Sequence, residues 1–218
     1  MKVELISYTP EADIIAAAAA KLTHSNSDIK ELMEEDKEKL GRLLKYVIKM
    51  GHTSVIEHAY FTFAISGVSR ALTHQLVRHR IASYSQQSQR YVEQKMEYVI
   101  PPSISKSKKT KIEYERMMNE IWDFYNKIKE EVPIEDARYV LPNATCSRIM
   151  VSMNARSLLN FFELRCCLHA QWEIRKLAWR MLHLVKKVAP AIFENAGPPC
   201  LTKHVCPMNK KDCVWYPK

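Results

Sequence analysis

Between Arg78 and Tyr91 the chain reads Arg-His-Arg-Ile-Ala-Ser-Tyr-Ser-Gln-Gln-Ser-Gln-Arg-Tyr, placing three arginines and one histidine within thirteen residues among hydroxyl and amide side chains. A guanidinium is a planar fork that grips a phosphate through two parallel bonds, and charge-assisted bonds of this kind are roughly twice as strong as neutral ones. Serine and glutamine can donate to the same oxygens. The cluster therefore suits an anion, although by composition alone it reads equally as a solvated basic turn at a helix end. Ser88 is no obvious nucleophile, because no strand-to-helix elbow surrounds it and the nearest histidine, His79, lies nine positions away. Arg165 is followed directly by Cys166 and Cys167. A buried, inert thiol is the commoner fate of such cysteines.

Further short motifs are dispersed on both sides of this segment: Gly51-His52 with Glu57-His58, Ala137-Arg138 with Val140-Leu141-Pro142, Asn154-Ala155-Arg156-Ser157, and His169-Ala170-Gln171-Trp172-Glu173. Together with Arg78, His79, Arg80, Ser83, Ser88 and Arg90, this ordered set resembles the signature of the flavin-dependent thymidylate synthases. A short pattern alone would carry a false-positive risk, which the agreement of several separated motifs lowers.

The resemblance implies roles residue by residue. Gln75, Arg78, Gln86, Ser88, Arg90 and Arg138 would contact dUMP, mostly its phosphate and sugar, and Arg165 would face the uracil ring as the catalytic residue. Ser54, Arg78, His79, Arg80, Asn154, Arg156 and Asn160 would hold FAD, with His52, Glu57 and His169 as further flavin-lining candidates. Where many relatives carry Asn-Glu this chain has Ser85-Gln86, so no carboxylate is available there. The implied reaction is the reductive methylation of dUMP to dTMP, with 5,10-methylenetetrahydrofolate giving the carbon and NADPH reducing FAD. The resemblance further implies a homotetramer with sites shared between subunits, and no catalytic cysteine, so Cys166→Ser and Cys167→Ser are expected to keep most activity.

The elements that must position these residues are legible in outline. Met1 to Tyr8 alternates as an edge strand, and Thr9-Pro10 opens a helix to about Leu22. A longer helical region runs from Ser27-Asp28 to Gly51, a strand covers His58 to Ser66, and helical spacing returns over Ser69 to Arg78. Ser83 to Arg90 reads as a polar loop, and Tyr91 to Ile100 as a strand stopped by Pro101-Pro102. Then come a long amphipathic helix from about Lys108 to Glu131, a short one after Pro133, a strand over Thr145 to Met153, a helix capped by Asn154, and a helix from Ala170 to Phe193 ended by Pro190 or by Gly197-Pro198-Pro199.

These elements predict an α+β fold: one domain over residues 1–195 with a small, mostly antiparallel sheet flanked by long helices, then an irregular cysteine-containing tail over 196–218. With four glycines and no GxGxxG after a strand, flavin binding cannot use a dinucleotide-binding crevice of the parallel-sheet type. The composition, 47% hydrophobic and 26% charged, is that of a soluble globular chain, and neither a signal peptide nor a membrane span is evident, so a cytoplasmic protein is expected. Its six cysteines are expected to stay reduced. The formal charge of +9 calls for an anionic partner. A nucleic-acid-binding module would explain the charge but leave Asn154, Arg156, Asn160 and the His169–Glu173 motif without a role, so neither nucleic acid nor membrane is expected as a partner. Cys200, Cys206 and Cys213 could ligate zinc, but their spacing is not that of paired CxxC knuckles, and no metal is expected.

Overall fold

The computed structural model describes residues 1–217. Strand β1 (Lys2–Tyr8) forms one edge of the sheet, as its alternation predicts. Helix α1 (Ala12–Leu22) begins later than Thr9-Pro10 suggests, because the Thr9 hydroxyl is used elsewhere and accepts the Tyr60 N–H at 2.9 Å. The single helical region expected up to Gly51 is two helices, α2 (Ile29–Met33) and α3 (Lys37–Lys49). Each has its own aspartate cap, Asp28 accepting from the Lys30 amide and Asp36 from the Lys39 amide. Gly51 follows at φ 85°, a left-handed conformation that ends α3. A 3₁₀ turn over Thr53–His58 then leads into β2 (Tyr60–Ser69), which is displaced toward the C-terminus from its predicted span.

Helix α4 (Arg70–Leu76) starts on the Ser69 hydroxyl, which accepts the Leu72 N–H at 3.0 Å. The polar segment expected to be a loop contains strand β3 (Ser83–Gln86). The predicted strand over Tyr91 to Ile100 is not formed; its β-rich residues make one isolated bridge, Tyr98 with Thr145. Next come α5 (Pro102–Ser105), the long α6 (Lys108–Ile128), α7 (Ile134–Ala137), a 3₁₀ turn over Arg138–Val140, and β4 (Cys146–Asn154). Helix α8 (Ala155–Arg165) is capped by Asn154, whose side-chain oxygen accepts the Ser157 N–H at 2.8 Å. The last long helix is α9 (Trp172–Val188), capped by Gln171. Of the two stops the sequence offers, the earlier one holds: Pro190 cannot donate a helical bond and instead opens the short α10 (Pro190–Phe193). The tail contains one further turn of helix, α11 (Pro199–Thr202).

The sheet order is β1-β2-β4-β3. Bonds at both ends of the β2–β4 pair fix an antiparallel register: Ala155 N–H to the Ala59 carbonyl at 2.8 Å, and Arg70 N–H to the Thr145 carbonyl at 3.1 Å. The architecture is thus α+β with a small sheet, as the order of elements predicts.

By their contacts the residues form two compact units. One comprises Met1–Lys2, Ile65–Val77 and Ser85–Ile149; the other comprises Val3–Ala64, Arg78–Tyr84 and the chain from Met150 onward. The first is centred on Met118, Trp122, Tyr125 and Ala137, with Tyr98 and Tyr114 against them. Gly67 belongs to it and stands at φ 64°, where a Cβ would come within 3.1 Å of the Met1 nitrogen. The second unit is built on a chain of edge-to-face rings, Phe61 on Phe193, Phe193 on Phe162 and Phe162 on Phe161, with centroids 5.3 to 5.9 Å apart. Among the described residues no helix is long and apolar enough to cross a membrane.

Candidate active site

In the second unit a cleft of about 720 Å³ is lined by Glu57, Arg78, His79, Arg80, Ile81, Asn154, Arg156, Ser157, Asn160, Leu164 and Arg165. Helix α8 supplies one wall: Arg156, Asn160 and Leu164 recur every four residues and so share a face, with Arg165 beside them. The segment after α4 supplies the other. Four guanidinium groups face one carboxylate, Glu57, which pairs with Arg156. The first-turn amides of Ala155 and Ser157 are taken by the Ala59 carbonyl and the Asn154 cap, so the positive charge of the cleft comes from its guanidinium groups.

The best-defined contact in the cleft is between Arg165 and His79. Arg165 Nε donates to His79 Nε2 at 3.0 Å, so that nitrogen carries no proton and the imidazole is the Nδ1–H tautomer. Burial, with the Arg165 charge as the second cause, lowers the His79 pKa from 6.5 to about 4. The ring packs edge-on against Phe161 at 4.9 Å, and the Tyr84 hydroxyl donates to the His79 carbonyl at 2.9 Å. Burial raises Tyr84 to about 12, keeping that donor protonated. Arg165 is itself pulled below the usual guanidinium range by burial and then by Arg78. A neutral histidine thus aims a partly desolvated cation, whose Nε is engaged and whose terminal nitrogens remain for a ligand.

The first unit holds a second group of candidates. Gln86 donates from its amide nitrogen to Thr73 Oγ at 3.1 Å and Ser147 Oγ at 2.9 Å. The Ser88 hydroxyl accepts the Arg90 N–H at 3.1 Å, and Arg90 Nε pairs with Glu135 at 2.7 Å. Arg138 Nε donates to the Glu135 carbonyl at 2.9 Å. Gln75 is half-buried on α4. Arg70, which sequence reasoning passed over, belongs with this group: burial and then the charge of Arg138 lower its pKa.

Of the expected flavin set, Arg78, His79, Arg80, Asn154, Arg156 and Asn160 all line the cleft, as does Glu57. Ser54, His52 and His169 are exposed and do not line it. Arg78 and Arg165, expected at dUMP, also lie in this cleft, while Gln75, Gln86, Ser88, Arg90 and Arg138 belong to the first unit. Sequence reasoning missed Tyr84, Phe161, Ser157 and Leu164. Ser157 and Tyr84 sit inside quoted motifs and were accessible on that ground, whereas Phe161 and Leu164 look like any apolar residue of α8. Cys166 is buried with its pKa pushed to about 12, so it offers no thiolate.

Fold and cleft together define an α+β protein with an arginine-lined cleft. Residues 4–191 match the family described as thymidylate synthase complementing protein. The flavin-dependent thymidylate synthase of Geobacter sulfurreducens is 50% identical over 218 residues, covering 98% of this chain and 94% of the relative. That of Clostridium tetani is 47% identical over 232 residues, covering 98% and 93%. A crystal structure of the UMP/dUMP methylase PolB from Streptomyces cacaoi, bound with 5-Br dUMP, shares the fold with a TM-score of 0.79 at 24% identity, covering 88% of this chain and 93% of that one. The chain belongs to the thymidylate synthase complementing protein family and is an enzyme of that family.

Proposed function

We propose that the protein catalyses the reductive methylation of dUMP to dTMP, with 5,10-methylenetetrahydrofolate as carbon donor and FAD, reduced by NADPH, as hydride carrier. The observation that carries this reading is the Arg165–His79 pair inside an arginine-lined cleft, in a chain of this family. FAD is suited to the residues present: its pyrophosphate needs positive charge, which four guanidinium groups provide, and its rings need amide partners, which Asn154 and Asn160 provide. When bound and reduced, FAD supplies the hydride.

The chain's own residues bind, orient and polarise. Methylation at C5 requires electron density on that carbon, and one route is to stabilise negative charge on the N3, O2 and O4 face of the uracil. Arg165 does this with its free terminal nitrogens, an electrostatic role that needs no proton transfer. His79 keeps those nitrogens aimed because it is neutral above a pH of about 4 and accepts at Nε2. Gln75, Gln86, Ser88, Arg90 and Arg138 of the first unit hold the phosphate and sugar of dUMP, and Arg70 adds charge to that group. Ser54, His52 and His169 join the flavin site in the assembled homotetramer, whose subunits share their active sites. Exposed Ile81, Tyr91 and Tyr139, at 74%, 77% and 82%, favour such an assembly because water solvates large rings and branched chains poorly. Six free cysteines suit a reducing cytoplasm.

The test is anaerobic turnover by the FAD-loaded protein. The reading expects NADPH oxidation with dTMP formed only when dUMP and 5,10-methylenetetrahydrofolate are both present. Flavin retained but no dTMP formed under any combination would overturn the assigned reaction.

A further inference from the structure

Helix α8 has a second flank. On the helical period Ser157 and Leu164 turn toward the arginine cleft, Leu159 and Glu163 turn the other way, and Arg156 and Asn160 form the ridge between them. The flank carrying Leu159 and Glu163 borders a groove of about 640 Å³, and Arg156 and Asn160 line groove and cleft alike. The two concavities therefore share a rim, and a ligand too long for the cleft can extend across it. The reaction proposed above leaves the groove without a role.

Its lining combines apolar wall with lysine. Ile48, Leu159, Ile192 and Ala196 supply the wall. Lys45 and Lys49, one helical turn apart at the end of α3, and Lys203, just after α11, supply most of the charge, whereas the cleft is charged by arginine. An arginine fork is rigid and matches paired oxygens; an ammonium is a point charge on a flexible stem, which can follow single carboxylates spaced along a chain. Two of the three lysines already hold carboxylates: Lys45 pairs with Glu194 at 2.7 Å, and Lys203 pairs with Glu163. Both pairs are partly exposed, so exchanging an internal carboxylate for one on a ligand costs little. Arg156 is shared with Glu57, which leaves Lys49 as the excess positive charge of the groove.

We propose that this groove binds the γ-linked glutamate tail of the carbon donor, whose reacting end enters the cleft across the ridge of Arg156 and Asn160. The inference rests on the reaction proposed above and names the part of the co-substrate that the cleft does not accommodate. The apolar wall takes the aromatic ring that precedes the tail, and Lys45, Lys49 and Lys203 take successive carboxylates. Chain length of the tail thereby becomes a determinant of affinity.

The test uses the full chain loaded with FAD and dUMP and reads binding rather than turnover, by calorimetric titration of 5-formyltetrahydrofolate carrying either one or five γ-linked glutamates. The wild-type chain is expected to bind the pentaglutamyl form about five- to tenfold more tightly, the scale of two or three exposed ion pairs. In Lys49→Glu/Lys203→Glu that ratio is expected to fall close to one. In Lys108→Glu/Lys109→Glu, which makes the same change of net charge at the exposed start of α6, it is expected to persist. Equal affinities in the wild-type chain, no binding of the pentaglutamyl form, or a preference that survives in the groove variant would each overturn the proposal. Failure of the reaction is separable: dTMP formed without a pentaglutamyl preference removes the groove alone, whereas the preference without dTMP supports the groove and removes the reaction.

Discussion

The two arginine groups differ in what their guanidinium ions meet. In the first unit Arg90 already has a carboxylate partner, Glu135, and that pair is about half exposed at 51% and 47%. Such pairs contribute little to stability and rearrange easily. In the cleft of the second unit the recorded partner of Arg165 is a neutral imidazole, and burial together with Arg78 makes its charge unfavourable. A half-buried cation whose direct partner is a neutral ring gains when an anionic ligand arrives. On the proposed function, Arg165 would serve the chemistry, and Arg90 would hold a phosphate that displaces Glu135.

The strongest way to break this comparison is to remove Arg165. Arg165→Ala is expected to lower kcat by about 10²- to 10³-fold, on the scale of losing one preorganised electrostatic donor. Arg165→Lys should rescue little, because an ammonium cannot engage His79 and also present two terminal nitrogens. Steady-state dTMP formation distinguishes these outcomes from a small, uniform loss. Asn154→Ala should cost about 1 kcal/mol through the lost cap, visible as a lower Tm, and should weaken FAD binding as well.

The histidine gives a pH signature. Its pKa is near 4 in the folded chain and 6.5 in the reference state, so between these values the unfolded chain binds the extra proton. The stability this group contributes is full above pH 6.5 and is lost as pH falls through about 4. Denaturant melts across that window should lose part of their slope in His79→Gln, which stays neutral while still able to accept from Arg165. The smallest effect is expected at Cys166, whose burial keeps it a thiol: Cys166→Ser should retain most turnover, and its abolition would replace electrostatic activation with attack by sulfur.

Much of the cleft was legible because its residues come from compact motifs. Arg78-His79-Arg80 and Asn154-Ala155-Arg156 are each fixed by a local feature, the end of α4 and the cap of α8. Strand β4 was likewise legible, since alternating burial along Cys146–Asn154 imposes alternating residue types. Strand β3 was not: Ser83–Gln86 is too polar to announce a strand, and its extended form comes from its place beside β4. Tyr91 to Ile100 failed in the opposite sense, having strand-like residues without a partner strand. Arg70 was invisible because its environment, burial beside Arg138, is a tertiary property.

On the proposed function, the cleft of the second unit holds the flavin and the arginines of the first unit do not. This is tested most directly by titrating FAD into wild-type, Arg156→Ala and Arg90→Ala proteins while following the flavin absorbance. The account predicts FAD binding weakened about tenfold or more in Arg156→Ala, the scale of one charge-assisted contact, and unchanged in Arg90→Ala. Unchanged affinity in Arg156→Ala, or a loss confined to Arg90→Ala, would contradict it.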